Sequence, residues 1–171
     1  QAFIGYAKGA TVKNLTLNGS VTTSTSGTSY AAGVISYGEA FSIENCVNNV
    51  NVTAVSKGYA AGIASRAGAG SSIVACTNNG KISGCGDYVG GITATAMGAD
   101  ISNCFNNGQI VNKGKPSSYA YCTGGIAGGA SSSSVISMCG NTAGITSTLK
   151  RTGGISGSLD GTIEKSFTTG N

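Results

Sequence analysis

A pattern of about 30 residues recurs along this chain, and it restricts the fold more than any other feature. Three columns mark it. A branched residue after a small or glycine pair stands at Val34, Ile63, Ile92, Ile126 and Ile155, with Ile4 as a degenerate first copy. A second position, two before an Asn-Asn or its equivalent, holds Leu15, Cys46, Cys76, Cys104, Cys139 and Ser166. A third, after the Asn-Gly turn or its equivalent, holds Val21, Val52, Ile82, Ile110 and Ile145. The second column advances by 31, 30, 28, 35 and 27 residues, and the others keep its phase.

Within one period, YVGGITATAMGADISNCFNNGQIV (Tyr88 to Val111) shows three short runs, around Ile92, Ile101 and Ile110. Each alternates apolar and polar residues over about five positions, the signature of a half-buried strand. Helical spacing fails, because 29 glycines among 171 residues break every window long enough for a helical stripe. Such a unit cannot bury its apolar face alone, so copies stack and share one core. The spacing predicts an all-β, three-sided parallel β-helix (β-solenoid), right-handed, of about six coils. The coils fall near 1–29, 30–58, 59–87, 88–122, 123–151 and 152–171, forming a single segment. At roughly 4.8 Å per layer the rod is roughly 25–30 Å long. Insertions are expected at corners, notably NKGKPSSYAY with Pro116, where no ladder bond is required.

Charged residues are 9% and hydrophobic ones 40%, the reverse of the balance that disorder needs. The net charge is +4, with the lysines scattered and only Lys113–Lys115 and Lys150–Arg151 close together, so no nucleic-acid partner is expected. No apolar run is long enough for a membrane helix, and no membrane insertion is expected. The chain shows no secretory signal and no initiator Met, as expected of a mature or excised segment. Neither end carries a recognisable cap. Flanking repeats of the same polypeptide, or end-to-end self-association, are therefore the expected partners there.

GGITATAMGADISNCFNNGQIV resembles the GLUG-motif repeats of bacterial cell-surface proteins, whose copies run approximately G-G-L-V-G and then I-x-N-S-Y-A-T-G-x-V. GGIAGGASSSSVISMCGNTAGI and GGISGSLDGTIEKSFTTGN follow the same pattern, so the resemblance covers nearly the whole chain. Cys replaces the usual Ser, and Asn-Asn replaces Ala-Thr. The resemblance implies a cell-surface spacer or adhesive module, such as occurs in adhesins and beside surface proteases, and it carries over no catalytic residue.

Four cysteines, Cys46, Cys76, Cys104 and Cys139, fall one coil apart, which makes a straight row. Tetrahedral metal ligation wants closely paired ligands, so a structural core ladder of small free thiols is the expected role, with no metal and no cofactor. Cys85 and Cys122 stand outside the row at corners on adjacent layers, and one disulfide between them is open in an oxidising compartment. Asn49, Asn79 and Asn107 are read as a turn ladder, since Asn tolerates left-handed backbone and its amide bonds along a stack. Tyr30, Tyr59 and Tyr88 align, with Cys122 and Arg151 continuing the column. They can shield a corner or form a strip for a host glycan or matrix protein.

No histidine is present, which removes the commonest general base. The acids Glu39, Glu44, Asp87, Asp100, Asp160 and Glu164 do not fall in the adjacent-coil pairs that glycoside cleavage needs. Gly90-Gly91 and Gly124-Gly125 precede no helix and cradle no phosphate. Ice binding needs Thr repeated at one outward position. The pairs taken as outward, Ile35/Tyr37, Ala64/Arg66, Thr93/Thr95, Ala127/Gly129 and Ser156/Ser158, are mixed instead. The function expected is a non-enzymatic extracellular stalk or adhesive module, with a filament segment as the alternative and an ice-binding solenoid as a minor one.

Overall fold

The computed structural model describes residues 1–23, 27–115 and 121–170. Pro116 lies outside them. The described chain is a parallel β-solenoid without helices, in which coils of about 30 residues pile one on the next. Five parallel sheets run along it rather than three sides. In the second coil they take Ile35–Glu39, Ser42–Glu44, Val47–Asn48, Asn51–Ala54 and Gly58–Ala61 in turn. The first three sheets have six strands and the last two have five, so the chain makes five complete turns and part of a sixth.

The extra sheets arise where the backbone must bend. Between the second and third sheets each coil has one residue in left-handed conformation, with φ between 48° and 55°: Asn14, Asn45, Ala75, Asn103, Met138 and Lys165. That bend divides one expected run into two short strands. Between the fifth sheet and the first, a small-residue or glycine pair turns the chain sharply. The tyrosine column, expected at a corner, lies in a strand of its own, with Tyr30, Tyr59 and Tyr88 in register.

Like sits over like throughout. Ile43, Ile73, Ile101 and Ile136 stack in the second sheet and Val52, Ile82 and Ile110 in the fourth, all fully buried. Each such side chain contributes about 1.5–3 kcal/mol relative to exposure. Two cores result. The larger one fills the space inside the first three sheets, and the smaller one, built from Ala31, Val52, Ala54, Ala60, Ile82, Val89 and Ile110, lies between the fourth and fifth.

Candidate functional site: internal ladders and two outer surfaces

The polar residues of the repeat form two hydrogen-bonded rows. Asn48, Asn78, Asn106 and Asn141 are fully buried. Each donates from Nδ2 to Oδ1 of the next, at 2.7 Å per step, and Asn141 closes the row on Thr168. The amide orientation is fixed locally, because each Nδ2 also donates to the carbonyl two residues on. The residues singled out as the turn ladder, Asn49, Asn79 and Asn107, form a second, exposed row with Asn18 and Thr142. It runs the other way, each amide donating to the coil below. A Cβ at Gly62 would collide with Asn78 Oδ1, and one at Gly33, Gly91 or Gly125 with the matching Asn. The glycine pairs that look like a phosphate motif are therefore clearance for the buried amides.

Cys46, Cys76, Cys104 and Cys139 are fully buried in the larger core. Each Sγ–H donates to the carbonyl two residues before, at 3.2–3.3 Å, and so caps the left-handed corner. Ser166, at the same position in the last coil, makes the same bond to Glu164 at 2.9 Å, so a hydroxyl and a thiol serve this corner alike. Cys104, bonded between the Cys139 and Cys76 thiols and desolvated, is held well above the usual thiol range. The same contact with Cys104 pulls the Cys76 and Cys139 thiols the other way, below the ordinary value. Among the described residues no three Cys, Asp or Glu converge as a metal ion would require. Cys85 is exposed and Cys122 buried. The register stacks Cys122 on Tyr88, not on Cys85.

Tyr30, Tyr59 and Tyr88 stack ring on ring, with centroids 4.7 and 5.4 Å apart and planes within 15°. Tyr37 leans on Tyr30 at 5.9 Å, and the Arg66 guanidinium lies over Tyr37. Burial pushes the Tyr59 and Tyr88 hydroxyls up in pKa. The ring faces are spent on one another, so this strip presents edges and phenol oxygens to solvent instead of a stacking platform. A shallow groove of about 250 Å³ runs beside Tyr59 and Tyr88, with Ser131, Ser158 and Asp160 on its rim. A wider concavity, about 1110 Å³, opens beside Tyr30, Tyr37 and Arg66 at the Ser29–Ala32 strand, whose outer edge is bonded in part by Gln1.

Of the pairs read as outward on the first sheet, Ile35, Ala64, Thr93 and Ala127 are buried. Tyr37, Arg66, Thr95, Gly129 and Ser158 remain as the outer column, and Thr95 is itself buried. A flat threonine lattice is absent there. The acids stay apart: Glu44 stacks between Lys13 and Val74, and Asp100 between Ser72 and Val135. Glu39 is held below its ordinary pKa by its bond to Lys8, at 2.8 Å.

No family model matches the chain, and no curated protein matches it. A crystal structure from Bacteroides ovatus, of a protein provisionally named an immunoglobulin A1 protease, is similar in fold, with a TM-score of 0.68 and 23% identity. The alignment covers 90% of this chain and 49% of that one, so the chain spans about half that protein's length. At this identity the likeness carries the parallel β-solenoid and not the activity in the name. The chain is thus a β-solenoid similar in fold to half of a larger protein, and the GLUG resemblance rests on the residues quoted above.

Proposed function

We propose that this chain is a non-enzymatic, extracellular segment of a bacterial surface protein that holds an adhesive surface on a rigid stalk. One observation carries the reading: the inner columns repeat while the outer column of the first sheet does not. Ile, Cys and buried Asn recur coil after coil. The outer column of the first sheet changes from Tyr6 and Tyr37 to Arg66, Thr95, Gly129 and Ser158. A fold held by its interior is free to vary its sides, which suits display. The solenoid half of a larger Bacteroides protein supports a segment role.

The test is a screen of the immobilised chain against glycans and matrix proteins, run beside peptidase and glycosidase assays. Saturable binding without turnover is the expected result. Catalytic turnover that survives repurification would sink the reading, and so would a chain that binds nothing.

A further inference from the structure

The lysines are scattered in sequence and gathered in space. Six of the ten basic residues, Lys57, Lys81, Lys113, Lys115, Lys150 and Arg151, flank or lie within the strands of the fourth and fifth sheets, where among the described residues one carboxylate, Asp87, stands in the same segments. The other four basic residues share the remaining surface with five acids. There Lys8 and Lys13 are paired with Glu39 and Glu44, at 2.8 and 3.1 Å. The chain is electrically two-sided.

Two clefts meet on the basic side. One, of about 390 Å³, is lined by Lys57, Lys115 and Tyr121. The other, of about 230 Å³, is lined by Lys81, Lys113, Thr53 and Ser83, and Cys85 lies in both. All four lysines are exposed. Lys81 precedes the fourth-sheet strand Ile82–Gly84 and Lys113 follows the next one, Ile110–Asn112, so charges border a surface carrying hydroxyls.

We propose that this surface binds a linear polysaccharide carrying sulfate or carboxylate groups, the lysines meeting the anions and Thr53 and Ser83 the sugar hydroxyls. The inference rests on the adhesive reading above. Lysine is a strongly hydrated point charge suited to spaced anions rather than bidentate recognition. A single-stranded nucleic acid has the same charge but takes much of its affinity from stacking on open aromatic faces. Here Tyr30, Tyr59 and Tyr88 cover one another, and among the described residues Tyr121 is the one aromatic residue lining either cleft.

Calorimetric titration of the whole chain with heparin, hyaluronate, a thymidine oligomer and neutral dextran decides it. Heparin or hyaluronate should bind more tightly than the oligomer, and dextran should not bind. With four lysines engaged, affinity should fall on the order of 50-fold between 50 and 200 mM salt, by analogy with counterion release from single strands. Changing Lys57, Lys81, Lys113 and Lys115 together to Glu should weaken binding on the order of 100-fold or more, and to Gln on the order of 10-fold or more, with far-ultraviolet circular dichroism unchanged. Lys165→Glu, at a different corner, should change it less than about 2-fold. No binding to either polyanion, tighter binding to the oligomer, or equal loss in Lys165→Glu overturns the proposal. If the glycan and matrix screen finds a ligand indifferent to the lysines, the proposal falls and the adhesive reading stands. If nothing binds in either experiment, both fall.

Discussion

Single residues in this solenoid are under unequal strain. Ala75 adopts φ of 51° in a column where Asn14, Asn45 and Asn103 adopt the same angle. A left-handed residue with a Cβ costs roughly 1–2 kcal/mol, and Asn tolerates it best after Gly. Asn45 already donates to Asn14 at 2.7 Å. Ala75→Asn should continue that exposed row toward Asn103 and stabilise the chain by about 1 kcal/mol, read as a Tm increase of about 2–4 °C. Asp87 is strained differently. Burial pushes its carboxyl above the ordinary value, outweighing the Tyr121 bond and the Lys57 charge, and its Oδ1 is buried with no partner among the described residues. A carboxyl with a raised folded pKa loses stability as pH rises through that pKa. Asp87→Asn should therefore raise the melting temperature at pH 7, and the gain should vanish below about pH 4, where wild-type Asp87 is protonated in both folded and unfolded chains. An equal gain at pH 3 would show that the carboxylate charge is not the cause.

The buried asparagine row binds element to element. Asn78 accepts from Asn48 and donates to Asn106 and the Gly80 carbonyl. Asn78→Ala removes these bonds and leaves a buried donor on Asn48 and a buried acceptor on Asn106 without partners, at about 1–3 kcal/mol each. Denaturant melts should show a loss on the order of 3–5 kcal/mol for this variant. Gly62→Ala should also destabilise, by about 1–3 kcal/mol from overpacking, because the new methyl meets the Asn78 amide and the Gly91 carbonyl. The two losses should not add, since both act on one amide. The two asparagine rows donate in opposite directions along the axis, so their amide dipoles oppose each other.

At the scale of the whole molecule, every coil contacts only the coils above and below it, the arrangement that makes repeat stability a sum of local and nearest-neighbour contributions. Protection from amide exchange should be highest in the coils around Ile73 and Ile101 and should fall toward both ends of the chain. Uniform protection from Ile4 to Thr168 would instead mean a single all-or-none unit. Charge separation belongs to this scale too, since the stacked coils gather lysines from positions far apart in sequence onto one side of the rod.

Much of the fold is written in the side chains themselves. Columns of Ile, Cys and Asn at a period of about 30 leave a chain without helix-forming windows little choice but to stack, because only stacking buries them. The cysteine row is legible for the same reason. Three things needed the tertiary structure. The split of three runs into five sheets depends on the turn at the small-residue pairs and on left-handed backbone at Asn45, Ala75 and Met138, and Ala and Met give no sequence signal for that conformation. Which of two adjacent asparagines turns inward depends on the bend before them: Asn78 is buried and Asn79 exposed. The basic surface depends on which offsets of different coils meet: Lys57 and Lys115 lie five residues past the third column, Lys113 three past it and Lys81 one before it, so together they form no periodic pattern. Periodicity is a local record of what each coil buries, whereas a surface is assembled from residues that meet only after the coils have closed.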